Sequence, residues 1–166
     1  GTFTEGDCAS GAPVQAGVLT DSAVMRQFYG NMAFRRVRWV QEPFYCAKMP
    51  AEVAETPTQV DGKDFTSPWP FDSISNDPIP FLDTQSVVCA NCHTTMNHIA
   101  PIFGNFDADG MWQDTIAVMT PNAPEPIPTE LSHWLPAGET LAWKQGNPVT
   151  TLADYGQLLA EDPLVA

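Results

Sequence analysis

The sequence predicts a mainly α-helical domain with long proline-rich loops. Three observations predict it. Apolar side chains recur at helical spacing in several short segments that begin on Thr, Asp or Ser. Sixteen prolines, about twice an average usage of roughly 5%, gather in residues 50–80 and 121–136 and leave irregular backbone there. Two cysteines and a histidine, Cys89, Cys92 and His93, fall in a segment that itself reads as a helix. At 166 residues the chain is long enough for one domain with a hydrophobic core and too short for two full-sized ones, so residues 1–166 are expected to form a single unit with an N-terminal arm over 1–15.

The elements follow in order. "GVLTDSAVMRQFY", Gly17 to Tyr29, reads as a turn into a short helix with Thr20 or Asp21 as N-cap, Val24, Met25 and Phe28 on one face, and Gly30 as its stop. Asn31 to Tyr45 continues in a second helical pattern carrying Phe34, Val37, Trp39 and Val40, with Pro43 interrupting it just before Cys46. Residues 50–82 keep no period and read as a long loop, with "SPWPF" as an aromatic staple. A helix starting near Gln85 or Ser86 should carry the cysteines and end before Pro101, because proline disfavours helical geometry in the residue before it. A turn follows over Gly104 to Gly110. "PTELSHWL" from Pro128 reads as a short helix with proline in its first turn. "TTLADYGQLLAEDP" reads as a last helix, with Thr150 or Thr151 as cap and a stripe of Leu152, Tyr155, Leu158 and Leu159.

Twenty acidic residues against seven basic ones give a formal charge of −13, which repels phosphate backbones and anionic membrane surfaces and makes nucleic acid a poor partner. No run reaches the roughly 18 apolar residues of a membrane span, and Gly1 to Thr4 lacks the basic and apolar regions of a signal peptide, so the chain reads as soluble and already processed.

The chemistry lies in "CANCH", Cys89 to His93. A c-type haem is fixed by two thioether bonds from cysteine sulfurs to its vinyl groups, and the adjacent histidine offers a ring nitrogen to the iron. On a helix Cys89 and Cys92 share a face with His93 beside them. A chance pair, a thioredoxin-like redox pair and half a zinc site are the alternatives. The redox pair wants a βαβ setting that is not apparent, and a structural zinc site wants four ligands, for which there is no second CxxC or HxxxH. The expected cofactor is therefore one covalent haem c per chain, in a small cytochrome c-like helical domain.

These residues also carry a resemblance. "CANCHTTMNHIAPIFGNFDADGMW", Cys89 to Trp112, resembles without a gap the signature of the planctomycete-type cytochrome C domains, a family of unknown function: C-A-x-C-H-x-x-M-D-P-I-G, four residues, then N-F-D-A-x-G-x-W. Upstream, "AGVLTDSAVM" and "FRRVRWVQEPFYCAKMP" are similar to its opening block and its arginine-containing helix, so the likeness spans about residues 16–116. Asn97-His98 replaces the usual Asp-Pro, Gly104 a frequent Glu, and Val37 a Gly after Arg36. The resemblance implies an exported protein, periplasmic or extracellular, and a chain that is a piece or a short relative of larger proteins.

The second axial ligand separates an electron carrier from a haem enzyme. Met96, Met111, His98 and His133 are candidates. Met119 has the best setting, because "VMTPNAPEPIPTELSHWL" resembles the ligand loop of small class I cytochromes c, where a methionine precedes proline and asparagine and a helix follows. His93 with Met119 is thus the expected iron-binding pair. Arg26, Arg35, Arg36 and Arg38 cluster within thirteen residues, and Arg36 is expected to pair with a haem propionate or to serve the structure. "NFDADG" imitates the start of a calcium-binding loop, but its twelfth position would be Ile116, so a turn in which Asp107 caps amides is the better reading. Covalent haem of this type implies an oxidising compartment, where Cys8 and Cys46 would form a disulfide tying the arm to the second helix. The expected function is single-electron transfer with redox partner proteins that present a basic docking patch. A peroxidase- or oxygenase-like enzyme with an open axial site and a structural haem-bearing subunit of a larger assembly are the alternatives.

Overall fold

The computed structural model describes residues 6–30, 33–46, 59–60, 63–64, 96–119, 125–130, 140–143, 147–163 and 165. They contain three α-helices, α1 (Ser22–Gln27), α2 (Phe34–Phe44) and α3 (Leu152–Ala160), and two 3-10 turns, Gly17–Leu19 and Ala100–Phe103. Three two-stranded antiparallel sheets accompany them: β1 (Gln59–Val60) with β2 (Lys63–Asp64), β3 (Ile116–Val118) with β4 (Ile127–Thr129), and β5 (Ala142–Trp143) with β6 (Asn147–Pro148). The mainly-α expectation is therefore wrong, and the described residues make a mixed arrangement of short helices and hairpins. The predicted motif helix and the "SPWPF" staple lie outside the described residues, apart from the turn that runs from Met96 into Ala100–Phe103.

Capping chemistry places two helices where the sequence puts them. Asp21 accepts from the N–H groups of Ala23 and Val24 at 3.0 and 3.1 Å, satisfying two of the donors that the first turn of α1 leaves open. In α3 the Thr151 hydroxyl accepts from Asp154 N–H at 3.1 Å, and the Asp154 carboxylate accepts from Thr151 N–H at 2.8 Å, a reciprocal capping box. The second helix departs from its reading at both ends. It starts from Ala33, which holds a left-handed φ of 63°, and it runs through Pro43 to Phe44. Pro43 is tolerated because it removes only one late N–H, while Tyr45 N–H still bonds to the Gln41 carbonyl at 3.2 Å.

The helix expected from Pro128 does not begin there, since Pro128 and Thr129 belong to β4, while residues 131–135 of that expectation lie outside the described residues. Pro128 sits opposite Ala117, and Ala117 N–H turns away from that ladder to donate to the Gly104 carbonyl at 3.2 Å. The pair is thus a non-hydrogen-bonded one, and the missing N–H of Pro128 costs the sheet nothing. β5 and β6 are joined by three residues, with Trp143 opposite Asn147.

The core collects Met25, Val37, Val40, Phe103, Phe106, Trp143 and Tyr155, all at most 1% exposed. Phe28 stacks on Trp39 at 5.1 Å and joins α1 to α2. The N-terminal arm is tied down by its backbone: Ser22 N–H donates to the Cys8 carbonyl at 3.1 Å, and Trp112 N–H to the Ser10 carbonyl at 2.7 Å. The expected Cys8–Cys46 disulfide is not formed. Cys8 directs its thiol to the Gly17 carbonyl at 3.3 Å, and Cys46 is an exposed free thiol just past the end of α2.

Candidate functional site

Cys89, Cys92 and His93 lie outside the described residues, as does His133. Their donor set, two thiols and an imidazole at positions i, i+3 and i+4, fits a c-type haem. The described chain resumes at Met96, which is buried, and turns through the buried Asn97 and His98 into Ala100–Phe103. That turn is pinned by Ile99 N–H to the Met96 carbonyl at 3.1 Å and by Ala142 N–H to the His98 carbonyl at 3.2 Å, so it is docked on β5. Pro101 and Ile102, eight and nine residues beyond His93, open onto a cleft of about 180 Å³ whose other walls include Trp112, Ile116, Leu141 and Leu152.

The remaining predicted residues are placed as follows. Met119 comes directly after β3 and is half-buried. Met111 is 39% exposed and stands among the most exposed large apolar side chains. Arg36 is 2% exposed within α2 and spends every N–H on backbone. Its Nε and Nη2 both donate to the Met25 carbonyl, at 3.0 and 2.7 Å. Its Nη1 donates to Phe103 and Phe106 carbonyls, each at 2.8 Å, and Nη2 also reaches the Asp107 carbonyl at 3.1 Å. The rings of Tyr29 and Phe106 lie 5.2 and 5.9 Å from the guanidinium carbon. Burial lowers its pKa to about 10, against the pull of Tyr29 and Asp107, which leaves it charged at neutral pH. A propionate could take an Arg36 N–H only by displacing one of these carbonyls.

Two of the four carbonyls that Arg36 gathers, those of Phe106 and Asp107, belong to the stretch that the signature N-F-D-A-x-G-x-W spells out. Asp107 Oδ1 accepts from the N–H groups of Asp109 and Met111, both at 2.9 Å, and its Oδ2 accepts from Gln113 Nε2 at 2.7 Å. Asn105 Nδ2 donates to the Gln113 carbonyl at 2.9 Å. Gly110 has φ +77° and packs on the start of α1 so closely that a Cβ there would overlap the Ser22 carbonyl oxygen and stand 2.9 Å from Arg26 N. Among the described residues no group of three or more His, Cys, Asp or Glu is placed to hold a metal ion. The Asp107 carboxylate is a turn-maker whose oxygens are occupied by donors of its own loop. At Gly104 a Cβ would lie 2.5 Å from Ile116 Cγ2 and 3.1 Å from the Pro101 carbonyl oxygen, so any larger residue there would require Ile116 to shift.

A family model, PSCyt3, a protein family of unknown function (DUF1588) of the planctomycete cytochrome C type, matches residues 15–116, more than half of the chain. The chain belongs to PSCyt3. No curated protein and no solved structure matches it. The PSCyt3 span begins beside the 3-10 turn Gly17–Leu19 and ends at Ile116, the first residue of β3. It therefore takes in Arg36, the loop that Arg36 clasps, and residues 89–93, and leaves Met119 and α3 outside. Sequence reasoning missed the clasp itself. Arg36 and the carbonyls it binds at Phe103, Phe106 and Asp107 are 67 to 71 residues apart, and backbone acceptors leave no mark in a single sequence.

Proposed function

We propose that this PSCyt3 chain is a monohaem c-type cytochrome domain that passes single electrons between redox partner proteins in an exported compartment. The observation that carries the reading is the Cys-Ala-Asn-Cys-His run at residues 89–93 inside the matched span of a cytochrome C-type family. Bound haem c supplies an iron that alternates between two oxidation states. Cys89 and Cys92 would hold it through their sulfurs, His93 would offer a ring nitrogen to the iron, and Met119 would offer its thioether as the second protein ligand. Met119 is only half-buried at the end of β3, where the chain enters the stretch holding Pro121, Pro124 and Pro126, and proline-fixed backbone loses less conformational entropy when the sulfur is held. The acidic chain, at −13, complements a basic patch on the partner.

Absorption spectroscopy of the oxidised holoprotein tests the ligand pair. The near-infrared methionine-to-iron charge-transfer band is expected at neutral pH and is expected to vanish in Met119→Ala, which also gains carbon monoxide binding in the reduced state. Rapid, complete carbon monoxide binding by the unaltered protein would instead favour an open-site enzyme.

A further inference from the structure

The outer face of α2 reverses the sign of the chain. Residues 22–46 hold four of the seven basic residues and only one of the twenty acidic ones. Arg36 is buried, while Arg26, Arg35 and Arg38 are exposed. Arg35, Arg38, Trp39 and Glu42 recur at helical spacing and so share the face of α2 opposite the buried Val37 and Val40. Phe28, at the end of α1, stacks on Trp39 at 5.1 Å, and Phe44 meets Trp39 edge-on at 5.3 Å. Phe28 and Trp39 are half-buried and Phe44 is 43% exposed, so this file of rings lies at the surface. Phe28 and Trp39 floor a hollow of about 260 Å³, large enough for an aromatic side chain, and Arg35, Arg38, Glu42 and Pro43 wall it.

Joining α1 to α2 accounts for the Phe28–Trp39 stack but not for the arginines around it. Arg35 gives Nη1 to the Tyr29 carbonyl at 3.1 Å, and Arg38 gives Nε to the Glu42 carboxylate at 2.9 Å, which leaves Nη2 of the first and both Nη groups of the second as donors. Among the described residues no carboxylate pairs with Arg26 or Arg35, in a chain rich in carboxylates. The cations here are all arginine. Arginine beside tryptophan and phenylalanine is the composition of protein-binding surfaces, whereas an ordinary solvated face favours lysine and glutamate.

We propose that this face of α1 and α2 docks an acidic segment of a partner protein, one in which an aromatic side chain is flanked by aspartate or glutamate. The ring enters the hollow against Trp39, between Phe28 and Pro43, and the flanking carboxylates accept the remaining N–H groups of Arg35 and Arg38, matching planar fork to planar carboxylate. Charge favours a short segment over a larger polyanion. A membrane surface or a nucleic acid extends well beyond the Debye length of roughly 10 Å at 0.1 M salt, and so meets the acidic remainder of the chain as well; a few residues need meet only the arginines. None of residues 89–93 takes part, so this docking and the haem reading fail separately.

The test titrates the full chain, by isothermal calorimetry, with three capped hexapeptides that set Phe, Tyr or Trp among glutamates and aspartates. Submillimolar binding of at least one is expected at low salt, weakening as salt is added and when alanine replaces the peptide's aromatic residue. Arg35→Gln/Arg38→Gln, at two exposed positions, is expected to lower the affinity at least about tenfold with an unchanged thermal scan. Trp39→Ala is expected to lose binding too; should it unfold, the arginine pair decides alone. Failure of all three peptides to bind, or equal binding by the arginine variant, overturns the proposal. It is also overturned if vesicles of phosphatidylglycerol and phosphatidylcholine bind the same arginines more tightly than the peptides do. A concentration-dependent dimer in sedimentation that Arg35→Gln/Arg38→Gln abolishes would replace the partner protein with a second copy of this chain.

Discussion

Arg36 shows how one side chain can organise a domain without touching a carboxylate. A buried cation is costly, and five charge-assisted hydrogen bonds to four carbonyls offset that cost while closing acceptors that short irregular elements leave open. The fork geometry matters as much as the charge, since an ammonium has three donors and cannot span carbonyls from Met25 to Asp107. Arg36→Leu, which strands those acceptors, is expected to lower stability by about 4 kcal/mol, and Arg36→Lys by about 2 kcal/mol, in urea denaturation. Equal losses for the two would mean that charge or bulk, not the fork, is what the site needs. The arginine was legible in the sequence as an oddity, four of seven basic residues close together, and its partners were not. In the same way the N-F-D-A-x-G-x-W residues were legible as a turn around Asp107, while the reason for Gly110, the closeness of Ser22, required the third dimension.

At the scale of elements, what could be read was whatever is encoded locally. α1 and α3 begin at Asp21 and Thr151 because capping needs only neighbours within three residues, and of the expected stripe Leu152, Tyr155 and Leu159 are buried while Leu158 is half-buried. The strands were not read, because runs of two or three residues are too short to show an alternation, and Pro128 carries a helix-start signal that the pairing with Ala117 overrides. The α3 cap has a pH signature. Hydrogen bonds from the Thr150 hydroxyl and from the Thr151 and Thr150 amides hold the Asp154 carboxyl down at about 2, below its ordinary 3.8. A carboxylate depressed in the folded state stabilises above its unfolded value and loses that contribution as pH falls through the folded one. The stability gap between the parent and Asp154→Asn is therefore expected to be full above about pH 4 and to close toward pH 2, read by denaturant titration across that window. A gap independent of pH would show that the cap works without its charge.

The whole molecule combines a strongly acidic chain, a core of large aromatic side chains and many short elements, and it shows why composition misled on fold class. Proline was read as loop between helices, but proline at non-hydrogen-bonded ladder positions is compatible with hairpins, and those hairpins hold Val118 and Trp143 in the core. Residues 89–93 and most of the stretch before them lie outside the described residues, so the case for the cofactor stands on donor chemistry and family. Charge gives a prediction at this scale. With −13 on the chain, the second-order rate of electron exchange with a cationic redox protein is expected to fall steeply as ionic strength rises, and stopped-flow traces that are flat or rise with salt would exclude charge steering. The central claim is covalent haem on Cys89 and Cys92. The most direct measurement is the intact mass of the denatured chain, expressed with a c-type maturation system and exported: the account predicts the polypeptide plus one haem, with Cys89→Ala/Cys92→Ala returning to the polypeptide alone, and a colourless parent chain at bare polypeptide mass would contradict it.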